Sequence, residues 1–158
     1  MAATRYNIES IMDGANLKYF SQECANEISW ILLFGENKGV VIFLLEGGEY
    51  LAIRSLPLAE CQKIPAAEFA NLIRNLMSRN CKLKLGHYSA NEVVTFETAL
   101  PIEDGELTEN QFHRSMAIVL NEINHFNEAA EKMREANYQE ADEIDKLFQR
   151  LIEPENEK

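Results

Sequence analysis

Long apolar runs are missing from this sequence. The longest unbroken one covers residues 40–45, whereas a membrane-spanning helix needs about 20 apolar residues. The N-terminus also lacks a basic start followed by an apolar stretch, so we expect no signal peptide. The sequence therefore predicts a cytoplasmic protein with no membrane insertion.

Basic residues are scarce as well. The 158 residues include 15 Lys and Arg against 26 Asp and Glu, which gives a formal net charge of −11. Such a charge repels phosphate backbones and anionic membrane surfaces, so we predict no nucleic-acid partner. An acidic run such as residues 97–109 is ordinarily a solvated surface, and a docking patch for a basic ligand is the alternative.

Cysteines and histidines are too few and too scattered to form a recognisable metal or redox site. The three cysteines form no CxxC pair, so neither a zinc ribbon nor a dithiol redox motif is indicated. His113 and His125 are separated by about 120° around the axis of a predicted helix. No GxSxG motif occurs, and no Ser or Cys stands beside a histidine. We predict no catalytic residue, no metal site and no cofactor; the alternative is small-molecule or metal binding near 97–109.

The periodicity of apolar residues predicts the secondary structure. Helical spacing marks helices over residues 4–16 and 65–79, and a final one from 109 to about 152 that either runs unbroken or breaks near Asn137. Runs of β-branched and aromatic residues between short turns indicate strands. The predicted strands cover residues 28–34, 40–45, 50–54, 82–88 and 93–97, with 17–23 as a short edge strand.

These elements predict an α+β fold. The order is α-β-β-β-α-β-β-α, which favours an antiparallel β-sheet of about five strands packed by helices, with a long C-terminal helix. Thr108 and Gln111 have the spacing of a capping box at the start of that last helix.

The hairpin around Asn37 is apolar on both sides. A half-exposed antiparallel strand alternates apolar and polar residues, but neither 28–34 nor 40–45 does so. Both faces are therefore expected to be covered. The helices cover one face, and the long helix, a second subunit or a partner polypeptide covers the other. An isologous homodimer is the commonest arrangement for a second subunit.

Large apolar side chains are the candidate anchors for such a partner. The apolar residues of the final helix recur as a heptad seam, which suits helix–helix packing. Aromatic side chains are frequent anchors of protein interfaces, although a core position is the alternative for a single tryptophan. The predicted partner-binding residues are Trp30, Phe34, Phe43, Phe112, Met116 and Val119.

Three stretches of the sequence resemble the YbjN-type domains of bacteria, within the type III secretion chaperone-like superfamily. They are WILLF at 30–34, VIFLLEGGEYL at 41–51 and VTFETALPIEDGELTENQFH at 94–113. In the last stretch the family has a strand, an acidic loop and a capped final helix. The resemblance leads us to predict a domain over 1–126 and a C-terminal helical extension over 127–158.

The resemblance implies a non-enzymatic protein. Secretion chaperones of this fold are dimers that hold part of a client chain along their surface, and YbjN-type proteins are regarded as regulators or chaperone-like factors. We therefore predict a bacterial, cytoplasmic, homodimeric module that binds a polypeptide partner through an apolar sheet face. A structural subunit of a larger complex, docked through the final helix, is the alternative.

Overall fold

The computed structural model describes residues 3–24, 27–35, 38–102 and 106–152, and the side chains of all of these except Cys24 and residues 137–152. The described chain has three α-helices and two short 3-10 helices. None of the helices in these ranges combines the length and the apolarity needed to cross a membrane. The helices are α1 (Arg5–Gly14), α2 (Ala66–Asn80) and α3 (Glu109–Ile152), with 3-10 turns at Glu46–Gly48 and Cys61–Lys63.

Seven strands within the described residues form one sheet. The strand order is β1-β2-β3-β4-β7-β5, and β6 also pairs with β7. Each of these pairings is antiparallel, so the predicted α+β class is confirmed. The strands are β1 (Tyr19–Cys24), β2 (Glu27–Leu33), β3 (Gly39–Leu45), β4 (Tyr50–Ser55), β5 (Ala59–Glu60), β6 (His87–Ala90) and β7 (Val93–Pro101).

Two strands differ from the sequence prediction. The two-residue strand β5 is absent from the prediction because two residues are too few to show a period. The strand predicted over 82–88 begins only at His87. Gly86 has φ +79°, and a Cβ at this position would lie 2.6 Å from the ring of Phe96. The chain therefore turns at Gly86, and the extended backbone starts after it.

The helix ends follow local hydrogen bonding. The hydroxyl of Thr4 accepts a bond from the backbone N–H of Asn7 at the start of α1. The predicted capping box of α3 is confirmed, because the N–H of Thr108 donates to the Gln111 amide at 2.9 Å and the N–H of Gln111 donates to the Thr108 hydroxyl at 3.2 Å. Pro65 precedes α2 as its N-cap rather than forming its first residue.

The backbone of α3 continues without a break from Glu109 to Ile152, so the two-helix alternative does not apply. Contacts along the chain nevertheless divide it into two compact units, Met1–Ile123 and Asn124–Lys158. The first unit holds α1, α2, the sheet and the start of α3. The organisation predicted from sequence, 1–126 and 127–158, stays a prediction.

The core of the first unit lies against one face of the sheet. Trp30, Ile42 and Ile53 stand side by side across β2, β3 and β4, and each is fully buried. Helices supply the other half of this core, which removes a large apolar area from water. Their buried residues are Ile8, Ile11 and Met12 of α1, Leu76 of α2, and Phe112, Met116, Val119 and Ile123 of α3.

Candidate partner-binding face

The other face of the sheet carries apolar side chains that remain accessible. Phe20, Ile31 and Val41 form a row across β1, β2 and β3. Phe20 is 71% exposed, and Leu33, two residues after Ile31 on the same side of β2, is 59% exposed. We call this surface the open face, and the helix-packed side the covered face. The open face consists of Phe20, Ile31, Leu33, Val41, Phe43, Leu45 and Tyr50.

The central row of the open face becomes polar beyond β3. The row of Val41 continues to Arg54 on β4 and Glu97 on β7. The Arg54 guanidinium pairs with the Glu97 carboxylate at 2.5 Å, and its Cζ lies 5.2 Å from the centroid of the Phe43 ring. Arg54 therefore marks the point at which this row changes from apolar to polar.

A groove of about 850 Å³ borders the open face at one end of the sheet. The N-terminal turn of α1 and the 46–48 turn form two of its sides. Arg5 is the one cationic side chain among the described residues that line the groove, and it pairs with Glu9 at 2.8 Å and Glu23 at 3.2 Å. Glu27 and Glu46 also line the groove, and neither has a cationic partner among the residues that the structure describes. The groove is therefore richer in carboxylates than in cations.

Solved structures share this architecture. A chain of the HopA1–SchA chaperone–effector complex matches with a TM-score of 0.56 and 10% identity, over 75% of this chain and 88% of that chain. YbjN from E. coli, described as a candidate transcription regulator, matches with a TM-score of 0.62 and 14% identity, over 85% of this chain and 95% of YbjN. This chain has a YbjN-like fold.

The fold resemblance predicted from the sequence is thereby confirmed. Identities of 10% and 14% relate the folds alone. No family model matches the sequence. No curated protein matches it either. Neither solved structure is described as that of an enzyme; one is described as a chaperone–effector complex and the other as a candidate transcription regulator.

Four of the six predicted partner-binding residues lie in the core of the YbjN-like fold. Trp30, Phe112 and Val119 are fully buried, and Met116 is 5% exposed. A side chain with almost no accessible surface does not contact a partner docked on the sheet. These four residues therefore hold the helices on the covered face, and they are not part of the surface proposed below.

The other two predicted residues are half-buried. Phe43 lies on the open face opposite Ala52, beneath the Arg54 guanidinium. Phe34 follows the end of β2, and its N–H donates to the carbonyl of Lys38 at 2.6 Å. A partner-binding role for both stays a prediction. The sequence prediction did not include the other six members of the open face: Phe20, Ile31, Leu33, Val41, Leu45 and Tyr50.

The covered face is fixed to α1 by a bond from the predicted tryptophan. The indole N–H of Trp30 donates to the Glu9 carboxylate at 3.1 Å, and Arg5 donates to the same carboxylate at 2.8 Å. The bond from Trp30 and the bond from Arg5 lower the pKa of Glu9. Trp30 therefore has both an apolar and a polar role in placing α1.

A buried polar cluster joins α2, β6 and α3. Glu122 is 5% exposed, and two nitrogens of the Arg79 guanidinium donate to its carboxylate at 2.6 and 3.0 Å. The hydroxyl of Tyr88 donates to the same carboxylate at 3.0 Å. Burial and the Glu122 charge raise the pKa of Tyr88 well above its usual value. Asn80 adds two bonds to the backbone of Tyr88, at 2.7 and 2.9 Å.

The described residues contain no candidate metal site, because no three of their His, Cys, Asp or Glu side chains lie close enough together to hold an ion. The alternative site near 97–109 is only partly described, because residues 103–105 lie outside the described ranges. Glu97 is engaged by Arg54. His87 is exposed and lies opposite Glu97 in the register, while His113 is exposed on α3.

Proposed function

We propose that this protein is a non-enzymatic, chaperone-like or regulatory module that binds a polypeptide partner on the open face. The exposure of Phe20 and Leu33 beside a continuous apolar row carries the proposal. Each Å² of apolar surface left in water costs about 25 cal/mol, so a few hundred Å² represents several kcal/mol that a partner recovers by covering it. Contiguous apolar patches of this kind are typical of interaction sites.

A polypeptide is the class of partner that fits this surface. The open face is a broad, twisted strand surface rather than an enclosed cavity, and small-molecule sites are concave. One of the solved structures of similar fold is a chaperone–effector complex, which supports a protein partner for this chain. Aromatic anchors such as Phe20 and Phe43 suit a peptide backbone with apolar side chains.

The proposal includes the cytoplasmic location and the homodimer predicted from the sequence. Light scattering of the purified chain measures the oligomeric state directly, since a dimer has twice the 18.1 kDa of one chain. A monomer at every concentration tested removes the homodimer from the proposal without affecting the partner.

Site-specific photo-crosslinking in cells of the source organism tests the proposed function. A photoreactive amino acid at position 33 lies on the most exposed part of β2 on the open face, and one at position 62 is a matched control, because Gln62 is exposed on the remote 3-10 turn. We expect discrete crosslinked polypeptides from position 33, lost when Phe20→Ser is added, and none from position 62. Equal yields from positions 33 and 62 would contradict the proposal.

A further inference from the structure

The charges at the two ends of the open face point to the kind of polypeptide it binds. This inference rests on the proposed function. We infer that the partner segment is amphipathic, with an apolar stretch over the open face and Lys or Arg side chains at the end that lies beside the groove.

One end of the open face is acidic. Glu27 begins β2, faces the same side as Ile31 by strand alternation and is half-buried. Glu46 follows directly after Leu45, the last open-face residue of β3, and is exposed. Leu45 lines both the open face and the groove, so the apolar surface and these carboxylates are continuous.

The described residues of the groove include too few cations to pair with all of its carboxylates. Arg5 is shared between Glu9 and Glu23, which leaves Glu27 and Glu46 without a guanidinium. A half-buried carboxylate such as Glu27 loses part of its hydration when a partner covers Leu45, so an apolar partner end at this point is penalised. A partner with a Lys or Arg at this point replaces the lost hydration with a charge-assisted bond.

Two lysines stand at the opposite end of the face among the described residues. Lys18 directly precedes β1 and Lys38 directly precedes β3, at the strand ends where Leu33 is exposed. Neither lysine forms an ion pair with a described residue. The face therefore distinguishes the two directions of a bound segment. Leu33 stands six positions after Glu27 along β2, which corresponds to about 20 Å of extended chain.

A second copy of this chain satisfies the charges less well. Each copy has a formal net charge of −11, so a facing copy offers two lysines for Glu27 and Glu46 but brings a large excess of negative charge with them. Like net charge opposes association through this face, whereas it steers a basic partner toward it. We therefore assign the open face to a basic polypeptide segment and not to the homodimer contact.

Selection from a library of random displayed peptides of about 12 residues, longer than the face requires, tests the inference. The wild-type protein is compared with Glu27→Gln/Glu46→Gln and with the matched control Glu92→Gln/Glu106→Gln, which removes the same charge from exposed sites elsewhere. We expect peptides that combine apolar residues with Lys or Arg. Their affinity should fall about fivefold in the first variant and stay unchanged in the control.

The remaining outcomes separate a failure of this inference from a failure of the proposed function. Enriched apolar peptides without basic residues, bound equally by all three proteins, overturn this inference and leave the proposed function standing. If the wild type enriches no peptide beyond a Phe20→Ser/Leu33→Ser variant, both fail. If the wild type is a dimer that Leu33→Asp converts into a folded monomer, a second copy occupies the face and the inference is wrong.

Discussion

The same strands present two apolar faces that have opposite fates. On the covered face Trp30, Ile42 and Ile53 form a row with no exposed surface, whereas Phe20 and Leu33 on the open face are 71% and 59% exposed. Along β2 and β3 the open-face residues Ile31, Leu33 and Val41 alternate with covered residues such as Trp30 and Ile42, and both sets are apolar. Hydrophobicity alone therefore does not decide which face is the core.

The polar contacts of the helices distinguish the two faces. Glu9 of α1 accepts a bond from Trp30, and Glu122 of α3 accepts one from Tyr88, so both helices are bonded to the covered face. The open face bonds instead within the sheet, through Arg54 and Glu97. The covered face is thus part of the folded core, and the open face remains accessible to solvent.

Truncating one anchor on each face should show the largest difference. Trp30→Ala should lower the free energy of unfolding by about 3–5 kcal/mol, because it leaves a cavity under α1 and removes the bond to Glu9. Phe20→Ala should change it by no more than about 0.5 kcal/mol. Urea denaturation followed by circular dichroism measures both. Similar losses would mean that the open face is also part of the core.

Breaking one ion pair on each side of the sheet should give a smaller difference in the free energy of unfolding. Arg79→Met leaves the buried Glu122 carboxylate without its cation and should cost about 2 kcal/mol. Arg54→Met breaks a solvent-exposed pair with Glu97 and should cost less than about 1 kcal/mol. The same denaturation assay compares the two. A larger loss for Arg54→Met would mean that the Arg54–Glu97 pair, and not the Arg79–Glu122 pair, contributes more to stability.

Alkaline pH should weaken the covered side selectively. The raised pKa of Tyr88 keeps its phenol neutral in the folded state, whereas the unfolded phenol ionises near pH 10. The contribution of Tyr88 to the free energy of unfolding is therefore complete below about pH 10. It declines by up to about 1.4 kcal/mol per pH unit as the pH rises toward the pKa of the folded state. Tyr88→Phe should have a flatter stability curve between about pH 9 and 11 in urea titrations. Parallel curves would exclude this role.

The stacking of Arg54 on Phe43 should have the smallest effect. Phe43→Leu keeps an apolar side chain on the open face but removes the ring beneath the guanidinium. A cation–π contact at an exposed site is worth about 0.5 kcal/mol, so a double-mutant cycle with Arg54→Met should give a coupling of that size. A coupling of zero would mean that the two side chains merely lie close to each other.

Much of this fold could be predicted from the sequence because its elements have clear periods. The apolar runs at 28–34 and 40–45 correspond to β2 and β3, and the capping box at Thr108 marks the start of α3. β6 was misplaced because the alternation over 82–88 does not reveal the left-handed backbone at Gly86. β5 depends on pairing with β7, which is a tertiary contact.

The sequence predicted that the hairpin of β2 and β3 has two apolar faces, but not which of them faces the helices. Strands that are apolar on both sides show that two faces need shelter, but they do not show which parity faces the helices. The neighbouring strand contains that information, because Arg54 on β4 is polar and is aligned with Val41 and Ile31. Following the register from Arg54 would have placed Trp30 in the core and Ile31 on the open face.

The position of Arg54 links occupancy of the face to the strength of its own ion pair. A chain lying over Phe43 displaces the water that screens Arg54 and Glu97, and the lower local dielectric strengthens their attraction. Replacing Arg54 should then be nearly silent in the free protein and damaging in the complex. This guanidinium would act as a reporter of the bound state, with a cost of removal that appears only when the sheet is shielded from solvent.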